Sequence, residues 1–141
     1  MPMASQAAVD KHRVTAVLVS HNGAVWLPEV VAALTSQTRP IDFITAVDTG
    51  SQDASTKLLK SARIPFLAAG VETGFGQAVS LAVSKLPIAV EHEWIWLIHD
   101  DCAPAPTALA KLLAAIDDRP QVVMVGPKLL GWHDRTHYSK P

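Results

Sequence analysis

Short apolar segments alternate along this chain with longer amphipathic segments, and polar or glycine-containing turns separate them. The short segments are rich in β-branched residues and apolar on both faces, which is typical of parallel strands covered by helices on each side. The pattern predicts five strands, at 14–20, 41–47, 64–68, 94–98 and 121–125. Apolar positions at helical spacing predict four helices, at 25–37, 54–62, 77–86 and 107–116.

Strands that alternate with helices of about ten residues indicate right-handed βαβ units. We therefore expect an α/β fold of three layers, αβα, with a mainly parallel sheet. Pro40 and Pro87 end the first and third helices, and Ser51 or Asp53 is expected to cap the second. The α/β domain is predicted at 14–130, after a flexible leader at 1–13 and before an irregular tail at 131–141 that resembles a truncation point.

Composition narrows the class of protein. The chain has 141 residues, 49% of them hydrophobic, and a formal net charge of -1, which fits one globular domain and disfavours binding to nucleic acid. The single cysteine, Cys102, excludes an internal disulfide and fits a cytoplasmic protein. Charged residues interrupt the longest apolar run, at 86–98, so no transmembrane segment is expected.

Polar residues follow the predicted strands at their carboxyl ends. In an open parallel sheet these ends line the crevice in which ligands bind. The sequence therefore predicts that one crevice collects the following polar residues: Ser20, His21, Asn22, Asp48, Asp53, the loop at 70–76, His99, Asp100 and Asp101.

Asp100 and Asp101 directly follow the most apolar strand. Adjacent carboxylates in a low-dielectric setting repel each other unless a cation or hydrogen-bond donors compensate. Mg²⁺ or Mn²⁺ suits oxygen ligands and shares its remaining positions with water and phosphates. Asp is also a favoured turn residue, and spacing alone favours neither interpretation.

Other local patterns restrict the chemistry. Asp48 is placed to accept hydrogen bonds from a base or a ribose hydroxyl, or to form a turn with Gly50 and Ser51. The segment around Gly74 and Gly76 matches neither glycine-rich phosphate fingerprint, which disfavours classical NAD and ATP modules. Without a nucleophile elbow, and with Cys102 interpreted as a packing residue, nucleophilic catalysis has little support.

Four ordered segments are specific when taken together: VSHNG at 19–23, VDTGSQD at 47–53, GFGQA at 74–78 and WIWLIHDDCAP at 94–104. The set resembles glycosyltransferase family 2 over most of 14–130. That resemblance implies a GT-A fold that lacks its C-terminal acceptor-binding part in this chain, a nucleoside diphosphate sugar as donor, and inversion at the anomeric carbon.

The resemblance also implies roles for individual residues. Asp48 looks like the acid that contacts the nucleobase, and Asp101 looks like the metal ligand, with His99 at the first position of the acidic motif. The catalytic base of the family lies beyond the matched stretch and is not identified. The implied nucleotide-sugar-binding residues are Ser20, Asn22, Asp48, Gly74, Gln77 and Asp100.

The expected partners are a UDP-, dTDP- or GDP-linked sugar and a saccharide or lipid-linked acceptor, in cell-envelope polysaccharide or glycolipid synthesis near the inner membrane face. An uncovered sheet edge would favour a homo-oligomer. One alternative is a non-catalytic nucleotide-binding or interaction domain derived from such an enzyme. Another is an unrelated doubly wound module whose Asp100 and Asp101 are turn residues and which binds no nucleotide. Trp132, in the tail, is a candidate for stacking on a sugar or on further protein.

Overall fold

The computed structural model describes residues 11–87 and 92–133. Strands and helices alternate throughout this part of the chain, as the hydrophobic pattern predicts. The strands are β1 (Arg13–Ser20), β2 (Phe43–Asp48), β3 (Phe66–Ala68) and β4 (Glu93–His99). The helices are α1 (Leu27–Thr35), α2 (Ser55–Ser61), α3 (Phe75–Val83) and α4 (Ala108–Ile116).

All four strands pair in parallel, in the order β3-β2-β1-β4. The chain runs outward from β1 to β3 and then returns to the other side of β1, so the order reverses between β1 and β4. Ser20 is in register with Asp48, and Val19 with His99, so three strands end at one level. A crevice therefore opens at the carboxyl ends of β1 and β4, where doubly wound sheets bind ligands.

Helices cover both faces of the sheet. On one face, Ala16 and Leu18 of β1 belong to a fully buried cluster with residues of α1 and α2. On the other face, Val17 and Val19 pack with Ala78 and Ala82 of α3. Adjacent residues of β1 thus face opposite layers, as the two-residue period of a strand requires. The three-layer αβα prediction is confirmed.

The predicted strand at 121–125 is wrong. In the structure this segment is irregular, and Val123 and Met124 are 89% and 86% exposed. Val122 and Val125 instead pack against the cluster around Val14 and α4. Two anchors three residues apart do not fit the two-residue period of one strand face. A β-branched composition favours a strand only where a neighbouring strand supplies hydrogen bonds and packing.

Local hydrogen bonds shift several helix boundaries. α1 begins at Leu27, two residues later than predicted, because the Gly23 carbonyl accepts the N–H groups of Trp26 and Leu27 in a turn. α3 begins at Phe75, two residues earlier than predicted. The N-cap position of α2 is Ala54, which makes no side-chain cap bond. The Asp53 carboxylate instead accepts the N–H of Ser55, the first residue of that helix.

The sheet begins slightly before the boundary expected from sequence. β1 starts at Arg13, and His12 is buried with its Nε2 2.8 Å from Oδ1 of Asp117. The remainder of the expected leader, at 1–10, and the tail at 134–141 lie outside the described residues. Within the described ranges, no helix combines the length and the apolar character needed to cross a bilayer.

Candidate functional site

Two loops, after β1 and after β2, form one side of the crevice. Asn22 adopts a left-handed conformation with φ of 50°, one that asparagine tolerates better than most residues. Its N–H donates to Oγ of Ser51 at 2.9 Å, and its Oδ1 accepts the N–H of Gln52 at 2.8 Å. The imidazole of His21 adds a 2.8 Å bond from Nδ1 to the Thr49 carbonyl. Side-chain and backbone bonds therefore hold the two loops together.

A second set of bonds lies beneath this layer and centres on Ser55. The side chain of Ser55 is fully buried at the start of α2. Its Oγ accepts the N–H of Gly23 at 3.0 Å and donates to Oδ1 of Asp53 at 2.5 Å. The other carboxylate oxygen of Asp53 accepts the N–H of Ala24 at 2.9 Å. The hydrogen bond from the Ser55 hydroxyl, followed by those from the backbone N–H groups of Ala24 and Ser55, lowers the pKa of Asp53.

Asp100 occupies the bottom of the crevice between β1 and β4. Its carboxylate is buried, and its Oδ2 accepts the N–H of His21 at 2.8 Å. Gly23 lies directly against it, because a Cβ at position 23 would lie 2.7 Å from Cγ of Asp100 and nearer still to Oδ2. The absence of a side chain at Gly23 thus provides the space that the Asp100 carboxylate fills.

His99, Asp100 and Asp101 form one cluster at the end of β4. Nδ1 of His99 lies 2.6 Å from Oδ1 of Asp101 and 3.2 Å from Oδ1 of Asp100. One nitrogen or oxygen atom from each of the three residues lies within 4.8 Å of the others. Asp100 is buried, whereas the side chains of His99 and Asp101 are more than half exposed. The cluster therefore opens to solvent above a fixed carboxylate.

This set of donor atoms fits a divalent cation. Two carboxylates and one imidazole converge, and hard divalent ions with one or two protein carboxylates complete their coordination with water and phosphate oxygens. Oδ2 of Asp100 is held by the backbone of His21, so its Oδ1 remains directed at the cluster. Asp101 and Asp100 would hold the ion, with His99 beside them.

Ser20 and Asp48 end β1 and β2 side by side, and both are buried. Oδ2 of Asp48 accepts the N–H of Ser51 at 3.0 Å. Among the described residues, neither Oδ1 of Asp48 nor Oγ of Ser20 has a hydrogen-bond partner. Buried polar atoms are rarely left unsatisfied. This pair is therefore a place where a ligand or a water molecule would complete the bonding.

The glycine-containing loop reaches the same edge through α3. The Phe75 ring stacks on the His99 ring at a centroid distance of 5.7 Å, which places the start of α3 beside the acidic cluster. Oε1 of Gln77 accepts the N–H of Gly74 at 3.0 Å and so caps the helix. The predicted site residue Gln77 thus has its carbonyl oxygen engaged within its own helix.

Two further side chains that the sequence singles out, Cys102 and Trp132, have packing roles. Burial, with a smaller contribution from the charge of Asp101, raises the pKa of the Cys102 thiol, which disfavours the reactive thiolate. Trp132 packs edge to face on Trp26 at a centroid distance of 4.9 Å, against the core beneath α1. Trp132 therefore contacts protein in this structure, and Cys102 is not an activated nucleophile.

The structure brings most of the predicted site residues to one edge of the sheet. Asp100 and Asp101 lie in one cluster, Ser20 and Asp48 form a neighbouring buried pair, and Asn22 serves mainly to join the loops. Sequence reasoning missed Gly23 and Ser55. The Asn-Gly dipeptide at 22–23 is a sequence signal for a tight turn, whereas an ordinary serine at the start of a helix gives no signal of its burial beneath another loop.

An open parallel sheet with a polar crevice at its switch point is typical of doubly wound α/β domains that bind ligands there, nucleotides among them. Within that class, the chain matches the family model described as Glycosyl transferase family 2 over residues 15–138. The chain therefore belongs to glycosyltransferase family 2, which confirms the resemblance that the sequence segments indicate.

Individual relatives agree with this assignment. Galactofuranosyltransferase GlfT1 from Mycolicibacterium smegmatis is 27% identical over 129 residues, which cover 91% of this chain and 43% of that protein. The crystal structure of S. aureus TarS 1-349 superposes with a TM-score of 0.59 and 19% identity, covering 75% of this chain and 32% of TarS. A structure of the same TarS segment contains UDP.

A third relative shares the fold and adds a bound ion. Glucosyl-3-phosphoglycerate synthase from Mycobacterium tuberculosis, in complex with UDP, gives a TM-score of 0.61 at 16% identity, covering 75% of this chain and 40% of that one. Another structure of that enzyme contains Mn²⁺, UDP and glucosyl-3-phosphoglycerate. These likenesses confirm the GT-A fold. The chain spans less than half the length of each of these relatives.

Proposed function

We propose that this chain binds the donor of a glycosyltransferase reaction, a nucleoside diphosphate hexose together with Mg²⁺ or Mn²⁺. One observation carries the proposal: the buried Asp100 and the exposed Asp101 meet at the switch point of a family 2 domain. A carboxylate pair at this position favours a compensating cation, and a cation there attracts a diphosphate. The complexes of TarS and of glucosyl-3-phosphoglycerate synthase with UDP favour uridine as the base.

The donor would lie along the carboxyl ends of the strands. We place the nucleoside over β1 and β2, near Ser20, Asn22 and Asp48, because the unsatisfied Oδ1 of Asp48 and Oγ of Ser20 offer an acceptor and a donor. The diphosphate then lies over β4, where Asp101 and Oδ1 of Asp100 hold the ion and Asp100 also lies on the ribose side. Gly74 lets the loop before α3 approach the phosphates, and Gln77 fixes that loop.

The reaction we propose is direct transfer with inversion. An acceptor hydroxyl attacks the anomeric carbon of the donor, and the bond to the diphosphate breaks. Asp101 would hold the divalent ion, which would supply positive charge opposite the leaving diphosphate. The proton of the acceptor hydroxyl passes to a base that we assign to no residue of this chain. The galactofuranosyltransferase relative makes a UDP-linked galactofuranose the first sugar to test, with a saccharide or lipid-linked acceptor.

Calorimetric titration of the purified chain with UDP, dTDP and GDP, with and without Mn²⁺, tests this proposal. We expect UDP to bind only in the presence of the ion, and Asp101→Asn to abolish that binding while the chain stays folded. Asp118→Asn is the matched control. This exposed carboxylate follows α4, and its neighbour Asp117 contacts His12 before the start of β1, so it lies near the amino ends of the strands and away from the crevice. Equal affinity with and without Mn²⁺, or in Asp101→Asn, would contradict the proposed site.

A further inference from the structure

The stack of Phe75 on His99 connects the acidic cluster to α3. The two rings lie nearly parallel, with an interplanar angle of 17°. Phe75 is the first residue of α3, whereas His99 ends β4, so the stack joins two separate elements. A ring held on one face loses most of its rotational freedom. Phe75 therefore restrains the plane of the His99 ring, and the contact of Nδ1 with Asp101 orients the ring within that plane.

That orientation turns Nδ1 of His99 towards the carboxylates. Nδ1 lies 2.6 Å from Asp101 and 3.2 Å from Asp100. Without an ion, Nδ1 donates a hydrogen bond to Asp101. A cation that replaces this proton would be bound by the lone pair of Nδ1, with the remaining proton on Nε2. The cluster then offers one nitrogen and two oxygen donors, where a purely acidic cluster would offer oxygens alone.

We propose that His99, held in place by Phe75, is the third cation ligand and makes the site prefer Mn²⁺ over Mg²⁺. The inference rests on the proposed cation site and deepens it. Both ions suit carboxylate ligands. Mg²⁺ gains little from an imidazole, whereas Mn²⁺, as a transition ion, binds an imidazole nitrogen more readily than Mg²⁺ does. Phe75 has no side-chain atom that could bind an ion. It is a positioning residue that acts through His99.

The ratio of the Mn²⁺ and Mg²⁺ dissociation constants tests this inference without any turnover. Free Mn²⁺ is measured by electron paramagnetic resonance, and Mg²⁺ by its competition with Mn²⁺. We expect the wild-type chain to prefer Mn²⁺, and His99→Ala to reduce that preference by about tenfold. His99→Asp restores an all-oxygen site and should shift the preference further towards Mg²⁺. A His99→Ala ratio equal to that of the wild type would overturn the inference.

Variants at Phe75 test the positioning role. Phe75→Ala should lower the Mn²⁺ preference by about threefold to tenfold, the range set by loss of an aromatic stack, and Phe75→Tyr should restore it. In a His99→Ala background, Phe75→Ala should change neither dissociation constant, because the ligand it positions is gone. An equal effect in both backgrounds would show a merely structural role.

Equal affinity of the wild type for both ions would overturn this inference alone, whereas no binding of either ion would overturn the cation site itself.

Discussion

Gly23 and Asp100 touch across the crevice between β1 and β4, and the glycine leaves room only for a hydrogen where any other residue would place a carbon. The buried carboxylate is fixed from two directions, by this contact and by the N–H of His21. The structure therefore makes the loop after β1 a support for the acid that follows β4. Coupling of this kind is expected where a site must be preorganised for a charged ligand.

Gly23→Ala is expected to disrupt this contact. The added methyl group overlaps the Asp100 side chain, so either the loop or the carboxylate must move. We expect a loss of about 1–3 kcal/mol in the free energy of unfolding, typical of overpacking at a tight site, together with weaker Mn²⁺-dependent binding of UDP. Urea denaturation and calorimetry measure the two effects.

Gly76→Ala is the control for this substitution. Nothing lies within 4 Å of a Cβ at position 76, which is inside α3. Since alanine is a better helix former than glycine, this variant should be about 0.5–1 kcal/mol more stable and should keep its affinity for UDP. If Gly23→Ala behaved in the same way, the contact with Asp100 would not matter for either property.

Ser55→Ala is expected to loosen the two loops. The substitution removes the donor to the exposed Asp53 and the acceptor of the Gly23 N–H, which is buried. Leaving a buried group unsatisfied costs about 1–3 kcal/mol, which chemical denaturation would measure. Ser61→Ala, at the exposed end of the same helix, removes only a bond to the Lys57 carbonyl and should change stability by less than about 0.5 kcal/mol. Similar losses in both variants would contradict the bridging role.

The pKa of Asp53 gives a second measure of the same bridge. Because the folded-state pKa is lowered, the carboxylate stabilises the fold above the unfolded pKa of about 3.9, and this contribution disappears as the pH falls through the folded pKa. Ser55→Ala removes the largest cause of the shift. We expect the carboxyl carbon of Asp53, followed by NMR, to titrate at higher pH in this variant, and stability to depend less on pH in the acid range. An unchanged titration would assign the shift to the backbone donors instead.

The hydrophobic pattern was sufficient to predict the alternation of strands and helices, because burial on two faces leaves a local signature in each strand. It failed at 121–125, since a strand also needs a neighbour, and no local pattern reveals one. Asp100 and Asp101 were predictable because their position after an apolar strand fixes their place in the sheet. Gly23 and Ser55 were not, because their roles depend on contacts with distant loops. The bonds of Asn22 to the loop after β2, and of Gln77 to the start of its own helix, likewise required coordinates.

Asp48→Asn tests whether the buried pair at the ends of β1 and β2 belongs to the donor site. The amide oxygen still accepts the N–H of Ser51, as Oδ2 of Asp48 does now. The unsatisfied Oδ1 becomes a neutral NH₂ group. Removing a buried carboxylate oxygen without a partner should leave the free energy of unfolding unchanged or raise it by up to about 1 kcal/mol. Sites shaped for a ligand commonly show this conflict between stability and binding.

The affinity for UDP should change in the opposite direction. Loss of a hydrogen bond to a charged acceptor costs about 1.5–3 kcal/mol, so the dissociation constant measured by calorimetry with Mn²⁺ should rise at least about tenfold. Asp118→Asn removes an equal charge near the amino ends of the strands. It should leave the free energy of unfolding and the affinity for UDP unchanged. Undiminished UDP affinity in Asp48→Asn would place the nucleoside elsewhere. A loss of more than about 2 kcal/mol in stability would instead show that Oδ1 has a partner in the unliganded chain.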